Sequence, residues 1–337
     1  MSDPVREELL RQYLVGESRA TRDLRAMIAR LGPTSLPVWI EGETGVGKEQ
    51  VALALHAASG RRGAFVAVNV CAISESMFED AFFGHVRGAF TGARDATLGH
   101  FGEADEGTLF LDEISGLPVS AQVKLLRAVE TQRYRQVGAR TDRGSQFRLI
   151  AASNEPSDAL LRSGRLRLDL AFRLRGSVLQ VPPLRERIDD VDELVAHFRR
   201  GGHGITEGSI GVEAIGWLKQ QPWHGNVREL RQVLQCARAL AHSELILERD
   251  LKRACRMLSI SAPDEVHQIE VSAEREELLA LLRSCGWDTV KVASELSVDR
   301  TTVYRRMRRL AIDPTPRGSR RRRWRQSGAS ESPMHSG

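Results

Sequence analysis

Leu36-Pro37-Val38-Trp39-Ile40-Glu41-Gly42-Glu43-Thr44-Gly45-Val46-Gly47-Lys48 carries the strongest fold signal in the chain. An apolar run at 36–40 reads as a short buried strand. A glycine-rich turn follows, and a helical pattern covers 46–58. The turn is G-x-x-x-x-G-K in strand–loop–helix context. Its glycines let backbone N–H groups curl round a β-phosphate at the positive end of a helix. Lys48 then reaches the β- and γ-phosphates. Glu49 stands where the plain motif has Ser or Thr, which removes one ligand for Mg²⁺. The bland alternative is a glycine turn that only caps a core helix.

The next informative stretch is Gly107-Thr108-Leu109-Phe110-Leu111-Asp112-Glu113, an apolar strand ending in two acids. Acids at the C-terminal end of a parallel strand face the ligand crevice. Asp112 is assigned to Mg²⁺ through water. Glu113 is assigned to polarise the attacking water as general base. Two acids at a strand end can also simply cap a helix, but the phosphate loop upstream argues against that here. Further apolar runs at 65–68 and 148–152, with helical patterns at 46–58 and 119–129, alternate strand with helix. Such alternation implies a parallel sheet covered on both faces.

The remaining organisation follows from pattern and composition. Residues 1–13 read as an N-terminal tail, 14–181 as the α/β subdomain and 182–258 as a helical subdomain. Residues 259–270, with Pro263, read as a linker, 271–312 as a compact helical unit, and 313–337 as a basic, disordered tail. The chain has 337 residues, 41% hydrophobic and 28% charged, which suits two or three soluble domains. No run approaches the twenty apolar residues of a membrane span, and the N-terminus has no secretory h-region. Cys71, Cys236, Cys255 and Cys285 form no CxxC pair. They read as small core residues of a cytoplasmic protein. Net charge is +5, and the excess sits at the C-terminus, where six of the nine residues 317–325 are arginine. That is the footprint of a nucleic-acid partner, or of a solvated tail that binds nothing.

Taken with what lies between them, these residues resemble the AAA+ activators of sigma-54 RNA polymerase, the bacterial enhancer-binding proteins, over about 14–312. Gly42, Glu43, Thr44, Gly45, Val46, Gly47, Lys48 and Glu49 look like that family's Walker A, in which Glu after the Lys is normal. Gly88-Ala89-Phe90-Thr91-Gly92-Ala93 is the family's GAFTGA signature. The resemblance implies a switch asparagine at Asn69, a sensor I residue at Asn154, and arginine fingers at Arg167 and Arg173. It also implies a sensor II residue at Arg228 in the lid. Leu166 stands where the family usually has Phe, and His224 where Pro is common. The two finger arginines are six apart on an expected helix, so they do not share a face. The family presents them across a subunit interface, which implies a ring, usually a hexamer.

The loop around Phe90 places a large apolar group between two glycines. An exposed aromatic there is costly unless it binds a partner. A core Phe in a glycine turn is the alternative. The resemblance implies contact with sigma-54. At 300–310, Val303, Met307 and Leu310 are spaced as one buried helix face, with Asp299 as N-cap. Arg300, Thr301 and Thr302 lie at the helix start, where a helix-turn-helix reads base edges, and Arg305 and Arg306 suit phosphates. This resembles the Fis-type unit of the family, with Ser297 and Trp287 replacing a usual Gly and Asn. A three-helix dimerisation unit is the alternative.

The expectation is therefore an α/β protein: a P-loop AAA+ domain with a parallel sheet and helical lid, followed by an all-α helix-turn-helix domain. Its expected cofactors are ATP and Mg²⁺. Its expected partners are the sigma-54 RNA polymerase holoenzyme, upstream DNA and further copies of itself, with no membrane. The family's usual N-terminal regulatory domain is missing from the sequence. Constitutive action, a regulatory protein in trans, or truncation would each account for that. A repressor with a vestigial ATPase and an AAA+ motor that ignores sigma-54 are the rival functions.

Overall fold

The computed structural model describes residues 3–200 and 210–258. Nearer the C-terminus it describes 278, 279, 281, 282, 284, 285, 287–296, 302, 303, 307, 310 and 312. The chain divides into two units, Met1–Ser259 and Ile260–Gly337.

In the first unit the strands are β1 (Val38–Glu41), β2 (Phe65–Asn69), β3 (Thr108–Asp112), β4 (Arg133–Tyr134), β5 (Arg143–Gly144), β6 (Arg148–Ser153) and β7 (Ser177–Gln180). Five of them form a parallel sheet in the order β2-β3-β6-β1-β7, while β4 and β5 pair as a small antiparallel hairpin. β1 and β6 are buried throughout, as strands covered on both faces must be. Successive side chains point to opposite faces. Trp39, Leu109, Leu111, Leu149 and Ala151 therefore join one core layer. Val38, Ile40, Phe110, Ile150 and Ala152 join the other.

The helices around the sheet are α1 (Asp3–Tyr13), α2 (Arg19–Leu31), α3 (Lys48–Ser59), α4 (Phe78–Phe83), α5 (Gly99–Glu103), α6 (Val119–Thr131), α7 (Ser157–Arg162) and α8 (Leu168–Leu174). α3 buries Val51, Ala52, Leu55 and Ala58, one face of a helix. Ser18 caps α2 by accepting the Thr21 N–H at 3.2 Å. At the other end of α2 the buried Arg148 guanidinium donates to the carbonyls of Leu31, Gly32 and Leu36. A cation suits a helix C-terminus. Burial brings the Arg148 pKa down to about 10.

Three readings of the sequence are corrected here, and one strand is added to them. Residues 3–13, read as a tail, form α1, and Leu10 lies wholly inside the core with α2 and α3. β1 starts at Val38, not 36, because Pro37 has no N–H to give the ladder. α3 starts at Lys48, not 46, because the preceding glycines hold their backbone in the loop. β7 was not legible, since only Leu179 of its four residues is buried.

The lid helices α9 (Val191–Arg200), α10 (Val212–Leu218), α11 (Asn226–Leu240) and α12 (Glu248–Leu258) close round their own core, centred on Trp223, Leu230, Leu234 and Leu251. The second unit has a separate core of Leu278, Leu282, Val292, Val303, Met307 and Leu310. The face expected at Val303, Met307 and Leu310 is thus the buried one. A helix, Thr289–Glu295, packs there. Trp287 takes φ 64°, a left-handed conformation that Asn and Gly reach at least cost. No described helix is long and apolar enough to cross a membrane.

Candidate active site

A cavity of about 450 Å³ opens at the C-terminal ends of the sheet strands, between the sheet and the lid. Its floor is the loop at 42–48. Gly45 and Gly47 take φ of 79° and 102°, which a side chain disfavours. A Cβ on Gly45 would also meet the Gly225 carbonyl oxygen at 2.3 Å. Glycine is therefore required by both backbone and space at residue 45.

Lys48 is buried at the start of α3. Its Nζ donates to the Gly42 carbonyl (2.8 Å), the Glu43 carbonyl (3.1 Å) and Asn154 Oδ1 (2.5 Å). Burial lowers its pKa, opposed by the charges of Asp112 and Glu113. Asp112 ends β3 and accepts the Glu113 N–H at 3.0 Å. Burial raises the Asp112 pKa, opposed by that bond and by Lys48. Glu113 follows with φ 54°, a strained value for a glutamate, and lines the same cavity. Asn69 is in register with Asp112 across β2 and β3, and its Oδ1 accepts the Cys71 N–H at 3.0 Å. One cavity thus gathers Lys48, Glu49, Asp112, Glu113, Asn154 and Arg228, with Asn69 on the neighbouring strand.

The lid is tied to the loop by polar contacts. The buried Asn226 donates through Nδ2 to the Thr44 carbonyl (3.1 Å) and the Glu43 carboxylate (3.1 Å), and accepts the Leu184 N–H (2.7 Å). Arg187 donates to the Val46 carbonyl at 2.7 Å, and the Arg228 N–H reaches the Gly45 carbonyl at 3.3 Å. Arg185 forks onto both Glu43 oxygens at 2.6 and 2.8 Å, and this bond pulls the Glu43 pKa down. Sequence reasoning missed Asn226, Arg185 and Arg187. It also missed the apolar wall of Tyr13, Leu14, Val15, Leu194, Phe198 and Val227. That wall comes from segments far apart in the chain, which no local motif brings together. Polar groups at one end and an apolar wall at the other suit a nucleotide.

Arg167 and Arg173 do not line this cavity. Arg167 precedes α8 with an extended backbone, so only Arg173 is helical, against the expectation of one helix for both. The Arg167 guanidinium pairs with Asp169 at 2.8 Å, and Arg173 donates to the Val129 carbonyl at 3.3 Å. Phe90 belongs to neither core layer. It is 46% exposed, with its ring edge-on to His85 at 4.9 Å. Gly88 and Gly92 flank it with φ of 80° and 106°, and the Gly88 N–H donates to the Ala93 carbonyl. Thr302 is half-buried in the second unit. Arg300, Thr301, Arg305 and Arg306 lie outside the described residues.

Three families match the chain: a sigma-54 interaction domain over 14–180, an AAA+ ATPase lid domain over 185–268, and a bacterial regulatory protein domain of the Fis family over 272–310. The DNA-binding transcriptional regulator NtrC of Rhizobium meliloti is 36% identical over 337 residues, 89% of this chain and 70% of that one. NtrC of Bradyrhizobium is 45% identical over 69% of this chain, but the match spans only 49% of that relative. Among solved structures, NtrX from Brucella abortus in complex with ATP superposes with a TM-score of 0.64 at 30% identity. That match covers 89% of this chain and 69% of that one.

Proposed function

The chain belongs to the sigma-54 activator family, with its sigma-54 interaction, AAA+ lid and Fis-type domains, and from this we propose that it is an ATP-driven activator of transcription. It binds upstream DNA, hydrolyses ATP, and uses the cycle to remodel the closed sigma-54 RNA polymerase–promoter complex in the cytoplasm. The observation that carries the reading is the convergence of Lys48, Asn154, Asp112 and Glu113 on one cavity. A half-exposed Phe90 on its own glycine-flanked loop supplies the second part.

The chemistry follows from the placement of each group. The N–H groups of the 42–48 loop and Lys48 receive the phosphates. The apolar wall receives the base. Asn154, bonded to Lys48 and lining the same cavity, would sense the terminal phosphate. Glu113 takes a proton from the attacking water, with Asn69 nearby on β2. Among the described residues no three His, Cys, Asp or Glu side chains could hold a metal ion by themselves. Mg²⁺ takes one or two carboxylates and otherwise phosphates and water. Asp112 would hold it, and it would supply charge neutralisation at the phosphates. Arg228 serves the nucleotide from the lid. Arg167 and Arg173 stand outside their own cavity, so they serve the site of the next subunit in a ring, read as a hexamer. Thr302, with Arg300, Thr301, Arg305 and Arg306, meets DNA.

The test is transcription in vitro from a sigma-54 promoter with purified holoenzyme. Transcripts should appear with ATP and not with a non-hydrolysable analogue. Equal output with either nucleotide, or repression in place of activation, would overturn the reading.

A further inference from the structure

α6 carries one polar residue on the face it buries. Ala121, Gln122, Leu125, Ala128 and Val129 form that face, and Gln122 is fully buried among them. A buried amide is costly unless its bonds are made. Here they are. Nε2 donates to the Leu117 carbonyl at 3.0 Å and to the Arg165 carbonyl at 2.7 Å, and Oε1 accepts the Arg167 N–H at 2.9 Å. Two carbonyl acceptors and one N–H donor leave the amide a single orientation. No other residue type of this length offers two donors and an acceptor in that geometry.

The partners of Gln122 give it a meaning beyond packing. Two of the three are backbone groups at 165 and 167. No side chain caps α8 at Arg167. The amide therefore fixes the backbone from which the Arg167 side chain leaves. The third partner, Leu117, closes the turn after Glu113: the Leu117 N–H donates to the Ile114 carbonyl and the Gly116 N–H to the Glu113 carbonyl. α6 also holds the second arginine, through the Val129 carbonyl.

We propose that Gln122 is a positioning residue for Arg167, setting the backbone from which that arginine reaches the neighbouring subunit's nucleotide. This rests on the reading above that Arg167 acts across the ring. It does not touch nucleotide itself, so its effect falls on turnover in the next subunit and not on ATP affinity in its own. A misplacement of about 1 Å can cost on the order of 100-fold in rate.

The experiment uses the full chain with Gln122→Met, and Gln122→Glu as the second variant should the first fail to fold. Gln122→Glu keeps the shape but sets a carboxylate against two carbonyls. Each is first titrated with a labelled ATP analogue, where affinity should stay within a few-fold of wild type. ATP turnover should fall by about 100-fold with little change in KM. Each is then mixed one to one with Lys48→Ala, which has a dead site but intact arginines. Random mixing sets an intact neighbour beside half of the competent sites, so turnover should rise to about a quarter of wild type. Arg167→Ala mixed with Lys48→Ala is the control. Recovery in the control without recovery for Gln122 would overturn the proposal and place the amide's effect in its own site. No recovery in the control would overturn the reading of Arg167 as a trans-acting cation, and this inference with it. Loss of ATP affinity in the Gln122 variants would also overturn it.

Discussion

Replacing Phe90 by Ala should separate ATP hydrolysis from activation. Phe90 carries no group useful to phosphoryl transfer, and the residues at 42–49, 112–113 and 154 lie on other segments. Full burial of such a side chain is worth roughly 1.5–3 kcal/mol. Because 46% of Phe90 is still exposed, docking onto a partner would gain about 0.7–1.4 kcal/mol per subunit. That corresponds to roughly a three- to tenfold change in affinity per engaged loop, and several loops multiply it. The buried half, with its edge-on contact to His85, limits the stability loss to about 1–2 kcal/mol, against about 3–5 for a core Phe. Four assays decide the matter. Melting should shift by only a few degrees, and ATP turnover should match wild type. Capture of sigma-54 in the presence of a transition-state analogue should vanish, and transcription with it. Early unfolding would make Phe90 a core residue. Undiminished transcription would refute the role of this loop.

Other expectations concern the nucleotide site and the C-terminal end. Lys48→Ala should lose nucleotide binding, whereas Glu113→Ala should bind a labelled nucleotide and release no phosphate. Wild-type turnover in Glu113→Ala would remove it from the base role. Asp112→Asn should abolish turnover yet raise the melting temperature of the nucleotide-free protein at neutral pH. Burial raises the Asp112 pKa above its ordinary value of 3.8, so the folded state prefers the neutral acid. The penalty is complete above the raised pKa and disappears as pH falls below the ordinary value. Thermal melts of both proteins from about pH 3.5 to about 7.5, which spans the ordinary carboxylate values, check this, and a difference that does not shrink toward acid would contradict it. Removing 313–337 should weaken binding to all DNA sequences alike and flatten its salt dependence, because arginines in such a segment meet phosphates and not base edges. An unchanged salt slope would show a solvated tail.

The phosphate loop, the acid pair and four of the five sheet strands were legible because each is a local signal. Short apolar runs ending in chemically distinctive residues announce themselves. β7 was not, since an edge strand with one buried residue has no period to read. α1 does not announce itself because its charged residues mask Leu10, whose burial depends on α2 and α3 being present. The lid contacts of Asn226, Arg185 and Arg187 were invisible for a related reason. Asn226 bonds to residues more than 180 positions away, and although the neighbouring Arg228 marks the segment as part of the lid, nothing local shows which backbone groups Asn226 meets. Gln122 sits in an ordinary amphipathic helix, where only the structure shows that its amide is fully engaged.

Lys48 has a further consequence. Its ammonium carries three protons, and each already has an acceptor within the protein. Phosphate therefore enters by exchange and not by addition: an oxygen of the ligand must outcompete Asn154 or a loop carbonyl for a proton already engaged. The site thus holds its own competing acceptors, tethered beside the ammonium. Weak anions such as free inorganic phosphate gain little from the trade. A polyphosphate that engages the loop N–H groups at the same time gains enough to win it. The exchange weakens both ligands alike, so the preference for a nucleotide rests on the additional loop N–H bonds that only the longer ligand makes. Asn154→Ala should free the proton that Asn154 engages and raise the affinity of the nucleotide-free protein for inorganic phosphate, and an unchanged affinity would show that the exchange costs nothing.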